Sequence, residues 1–248
     1  MHLFSINFRL RFIGLLLGVA LISSFVISNG HRRTITIRFK HKVGSQDLVL
    51  FNKTYTNPFG EPITITRFKY YVSHIRVTGA DQKERTLSAK TFLVDEADSA
   101  SKTLIFTDDG AAFQTLSFEI GVDSILNVSG VQTGDLDPLK GMFWTWNSGY
   151  IFAKMEGVSD SAHAPAHSFS WDVGGYKSPS NAKRSVQLSV PASLTASSDA
   201  VIVIDADLLK WFNATHTLKI SQHPFCHQAG DLAMQIADNY ANMFSVAL

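Results

Sequence analysis

Cysteine is almost absent: Cys226 stands alone in 248 residues. A lone thiol closes no intrachain disulfide and supplies no cysteine-rich zinc site, so neither staple is available to the fold. An excess of one charge is missing too. Lys plus Arg number 22 against 21 Asp plus Glu, a balance without the basic footprint of a nucleic-acid-binding surface. The common enzyme signatures are also absent: the chain has no G-x-S-x-G elbow, no phosphate-binding G-x-x-x-x-G-K-[ST] loop, no G-x-G-x-x-G after a strand and no H-E-x-x-H. No catalytic turnover is expected. There is no internal repeat and no Pro-rich or Gly/Ser-rich linker. Hydrophobic types make up 45% and charged types 17%, enough to bury one real core.

What the chain does have begins at its N-terminus. Arg9 and Arg11 precede an uncharged run from Phe12 to Ser28, with the basic flank and apolar centre of an export signal. Val26 and Ser28 suit the small-residue positions before a cut near Asn29. An uncleaved anchor is the alternative, because the run approaches the length of a spanning helix. Residues 1–29 are therefore expected to be a signal peptide or N-terminal membrane anchor that contacts the membrane. Residues 30–248 are expected to form a single β domain in the periplasm or at the cell surface.

From residue 34 the pattern shifts to short alternating runs broken by turn residues, which predicts strands. They fall over 34–41, 47–51, 63–77, 91–94, 103–106, 114–120, 143–155, 168–173, 184–190 and 201–204. Such spacing predicts an all-β fold, an antiparallel β-sandwich-like single domain. Helices are expected to be scarce: Leu232, Ile236, Tyr240 and Met243 share a face after Asp231, a candidate N-cap, and Asp207 to Phe212 adds one short turn. A short C-terminal helix is expected after Asp231. Asp135 with Asp137 and Asp205 with Asp207 read as turn formers, since neither set has the oxygen count of a calcium loop.

Nine histidines are the unusual number. His163 and His167 lie four apart in Ser-Ala-His-Ala-Pro-Ala-His, and His223, Cys226 and His227 fall within His-Pro-Phe-Cys-His before the last helix. Neutral imidazole is a good ligand for copper or zinc, and a thiolate would bias a site toward copper(I) or zinc. His41 and His74 sit on predicted strands from which either could project toward such a cluster. The candidate metal ligands are His41, His163, His167, His223 and His227. The competing reading makes the histidines incidental and the domain an interaction module without a metal.

The most specific segment is Gly134-Asp-Leu-Asp-Pro-Leu-Lys-Gly-Met-Phe-Trp-Thr-Trp-Asn-Ser-Gly-Tyr150. On one strand, Trp144 and Trp146 would share a face. A core role explains such a pair unless an indole lies beside a metal. With Arg38-Phe-Lys-His-Lys-Val-Gly44, Phe68-Lys-Tyr-Tyr-Val-Ser73 and Val173-Gly-Gly-Tyr176, this segment resembles the MbnP-like copper-binding proteins of bacteria. The resemblance implies an exported β domain in which histidines hold copper near a tryptophan. In relatives that tryptophan is oxidised to kynurenine by a dihaem peroxidase-like partner. Carried over, it selects Trp144 and Trp146 as the modified or supporting indoles and His41 as the histidine of the first strand. The chain departs from the resemblance at Asp172, where relatives carry histidine before the Gly-Gly pair, and Trp171 beside it is a third indole to follow.

Overall fold

Strict alternation in the first strand sets the architecture. In β1 (Arg33–Val43) Ile35, Ile37, Phe39, His41 and Val43 point inward, while the residues between them keep some exposure. The structure, a computed structural model, describes residues 32–108, 112–145, 147–196 and 199–247. The expected signal or anchor over 1–29 lies outside them. Among the described residues no helix is long and apolar enough to cross a membrane.

After β1 come β2 (Gln46–Asp47), β3 (Thr54–Thr56), β4 (Pro62–Gly79), β5 (Glu84–Ser88), β6 (Phe92–Asp95), β7 (Thr103–Asp108) and β8 (Phe113–Ile120), then α1 (Ser124–Val128). The second half holds β9 (Phe143–Thr145), β10 (Gly149–Val158), β11 (Ser168–Gly174), β12 (Arg184–Ser189), α2 (Ala192–Thr195), β13 (Asp199–Asp207), β14 (Phe225–Cys226), α3 (Asp231–Tyr240) and β15 (Phe244–Val246). They build two sheets. The smaller runs β15-β13-β1-β2, with β7 also paired to β1; the larger runs β12-β8-β4-β10-β11-β14, with β3, β5 and β6 on β4 and β9 on β10. Edge-on rings join the sheets: Phe39 and Phe244 of the smaller meet Tyr70 and Phe118 of the larger at centroid distances of 5.1–5.9 Å. Each such pair contributes about 0.5–1.5 kcal/mol beyond the area it buries.

The expected all-β sandwich forms, antiparallel except where β13 lies parallel to β1 and β14 parallel to β11. Two expectations are refined. The run 143–155 is not one strand, because Asn147 and Ser148 turn the chain between β9 and β10. The last helix stops at Tyr240, freeing Phe244–Val246 to pair with β13, and Gly230 rather than Asp231 occupies its N-cap. The paired aspartates do serve turns: Asp137 accepts from the Leu139 amide and Asp207 from the Leu209 amide.

One buried carboxylate ties the C-terminal segment to this frame. Glu61 accepts from Asn57 Nδ2 at 2.6 Å, from the Ile220 amide at 2.9 Å and from the Ser221 amide at 2.9 Å. Burial alone would raise its pKa, but these donors outweigh burial and hold it below the usual carboxylate value. Glu61→Gln places an amide NH₂ where an N–H must be accepted. The expected result is a loss of about 1–3 kcal/mol in denaturant unfolding, with faster hydrogen exchange at Ile220 and Ser221.

Candidate functional site

The tryptophan segment folds as a hairpin laid over a glycine. Thr145 pairs with Gly149 across the Asn147–Ser148 turn, and Trp144 packs its ring on Gly174 at the end of β11. A methyl group on Gly174 would lie 2.9 Å from that ring and 2.5 Å from the Tyr150 carbonyl oxygen. The Trp144 indole N–H is buried without a hydrogen-bond partner among the described residues. Trp146 lies outside the described residues.

The hairpin turn faces the segment that carries the C-terminal histidines. Phe225 and Cys226 pair in parallel with Ser170 and Trp171, which turns Cys226 inward and leaves His223 and His227 exposed. The Trp171 indole donates to the His223 carbonyl at 2.7 Å and fixes that end of the segment. Asn147, Ser148, Gly175, Tyr176, His227 and Gln228 line one cleft of about 360 Å³. His227 is thus brought to the tryptophan hairpin. Cys226 is not a ready ligand, because burial pushes its thiol up to about 11 and only the thiolate binds metal.

His41 sits elsewhere, at the inner wall of a cleft of about 610 Å³ shared with Asp47, Glu96 and Lys102. Its Nδ1 is 2.6 Å from Glu96 Oε2 and its Nε2 is 3.0 Å from the Tyr70 hydroxyl. A neutral ring satisfies both at once: Nδ1–H donates to the carboxylate, and Nε2 accepts from the phenol. Burial lowers the His41 pKa despite the pull of Glu96, and burial raises that of Tyr70, so both neutral forms are favoured. Both ring nitrogens thus have a protein partner in this arrangement.

His163 and His167 are exposed on the loop before β11. Asp172, where the resemblance expects histidine, is buried and paired to Lys154 Nζ at 3.1 Å.

The sequence profile of the MbnP family matches residues 32–228. The chain belongs to the MbnP family. The solved structure of MbnP from Methylosinus trichosporium superposes with a TM-score of 0.59 at 15% identity, covering 81% of this chain and 83% of that one. No curated protein sequence matches.

On this MbnP fold the sequence reading passed over one cluster. Among the described residues, His74, Glu119 and Asp123 alone bring three imidazole, thiol or carboxylate ligand atoms within 4.8 Å of one another. None of the five histidines selected from sequence belongs to such a group. The numbers 74, 119 and 123 carry no ligand spacing. The one hint was a charged pair, Glu119 and Asp123, straddling a strand end opposite a strand histidine.

Two outcomes test these assignments. Gly174→Ala should cost about 1–3 kcal/mol through overpacking and shift the tryptophan fluorescence as Trp144 is displaced. For His41, the folded value lies below the ordinary 6.5, so its neutral form contributes stability above that pH. As pH falls toward the folded value the unfolded chain takes up the proton first, and that contribution is lost. Melting curves between pH 7 and pH 5 should therefore fall more steeply for the wild type than for His41→Leu.

Proposed function

We propose that the chain is an exported copper-binding protein of the periplasm or cell surface. It turns over no substrate and holds its ion beside the tryptophan hairpin. Membership of the MbnP family supports the class. The observation that carries the placement is that His227 and the hairpin turn line one cleft. The donor chemistry fits. His223 and His227 offer two exposed imidazoles on one segment anchored by Trp171 and Glu61, and two imidazoles suit copper(I). His41 is assigned instead to holding the two sheets together, since its nitrogens are already used.

Bound copper would supply one-electron redox chemistry close to Trp144. This chain's residues do the rest: Gly174 seats the indole, Cys226 stays protonated in the interior, and Lys154 neutralises Asp172.

Titration of the exported chain with copper(I) against a competing chelator checks the reading. One tight equivalent is expected in the wild type and in His41→Leu, and its loss in a His223→Ala/His227→Ala double variant. A wild type that binds no copper would leave the interaction module as the better account. Loss in His41→Leu alone would move the ion to the first strand. Intact mass reads any oxidation of Trp144 or Trp146 independently.

A further inference from the structure

The second cluster is assembled by a fault in the longest strand. β4 pairs with β8 at Ser73↔Glu119 and again at Arg76↔Ser117, so His74 and Ile75 together oppose one residue. This is a β-bulge, a device that re-aims a side chain. His74 takes the left-handed backbone at φ 50° and its ring enters a gap between two acids. Nδ1 is 3.2 Å from Glu119 Oε2 and Nε2 is 3.2 Å from Asp123 Oδ2.

A neutral imidazole has one N–H and one lone pair, so it cannot satisfy carboxylates at both nitrogens. His41 has complementary partners; His74 faces a carboxylate at each nitrogen, with the Ser73 hydroxyl a longer 3.4 Å from Nδ1. Glu119 Oε2 sharpens the mismatch. It is buried, with Lys183 Nζ at 2.7 Å and His74 Nδ1 at 3.2 Å as its close charged neighbours among the described residues. A cation without directional demands would answer all of these atoms.

Lys183 is the present answer. Its ammonium lies 2.7 Å from Glu119 Oε2 and 3.0 Å from Asp123 Oδ1, and Arg76 adds a longer contact of 3.6 Å to Glu119 Oε1. The stem of Lys183 passes over Gly121, where a methyl group would come within 2.9 Å of it. Burial works against the Lys183 charge, and the pull of the two acids outweighs it, raising its pKa. The four side chains of His74, Glu119, Asp123 and Lys183 are 16–30% exposed, so the cluster meets water and Lys183 has solvent to move into.

The geometry points to a second metal site, at His74, Glu119 and Asp123, for a divalent first-row ion of the zinc or copper(II) class, with Lys183 as a removable plug. One imidazole and two carboxylates are borderline-to-hard donors, which suit these ions and not copper(I). A dication entering between the carboxylates takes the place of the ammonium, so Lys183 acts as a competitor built into the site.

Zinc titration by calorimetry tests this independently of the copper reading. The full chain carrying His163→Ala/His167→Ala/His223→Ala/His227→Ala serves as background, so these four exposed histidines cannot contribute. The expected result is one saturable equivalent that tightens when Lys183→Gln is added and weakens by more than about tenfold when His74→Ala is added. Thermal melts of each variant establish that it is folded, and His74→Asn, which keeps a polar side chain on the bulge, stands in if His74→Ala is not. No saturable zinc binding in the Lys183→Gln chain, or binding that His74→Ala and His74→Asn leave unchanged, would overturn the assignment. Zinc bound equally well with and without Lys183→Gln would overturn the plug.

Discussion

Two sheets can stack only if everything between them is dry or fully partnered, and here the contact is made by edge-on aromatic rings with one imidazole at their margin. Phe39, Tyr70, Phe118 and Phe244 form the joint. His41 continues the inward row of β1 and meets Phe68 and Tyr70 edge-on. Carrying a polar ring into that layer is unfavourable unless both nitrogens are satisfied. Tyr70 does so from the opposite sheet and Glu96 from just beyond β6, with Lys102 at 2.8 Å from Glu96 balancing its charge. One inward-facing histidine thus dictates the chemistry of three residues in other segments.

Much of this was legible in the sequence because alternation is a local signal. The inward row of β1, the long β4 and the span of β8 follow from period-two patterning, and the final helix from its apolar stripe. What the sequence left open depends on distant pairings. No local pattern shows that β13 lies parallel to β1 about 160 residues away, or that Asp172 is neutralised by Lys154. The hairpin at Asn147–Ser148 was hidden because apolar residues continue on both sides of the turn. Trp144 and Trp146 were selected together, and of the two Trp144 lies among the described residues, seated on Gly174. The bulge at His74 was equally invisible, since an inserted residue changes no residue type.

The histidines sort by what faces their nitrogens rather than by their spacing. His41 has one donor and one acceptor and is closed. His74 faces a carboxylate at each nitrogen, with Lys183 bridging the same two acids. His163, His167, His223 and His227 face solvent and remain free to bind on their polar side. Spacing of four in a loop, as in both sequence clusters, says nothing about which of these states a ring will occupy. The partners are chosen by the sheets, and the sheets are assembled from residues far apart in the chain.

The cleft beside the tryptophan hairpin depends in the same way on an absence of atoms. Gly174 lets the Trp144 ring approach the backbone of β11. Gly175, at φ 129°, lies against the Ser180 carbonyl oxygen, and a side chain there would also reach within 2.9 Å of Ala229. Any larger residue at either position would push apart the hairpin, the 175–180 loop and the segment after His227, the three walls that meet at the cleft. The glycine pair therefore acts as a spacer: it costs backbone entropy in a strand end and in return lets an indole and an exposed imidazole belong to neighbouring walls of one surface. The parallel pairing of Phe225 and Cys226 with Ser170 and Trp171 ties the segment before His227 to the edge of the larger sheet, so His227 leaves from a paired strand and not from a free loop.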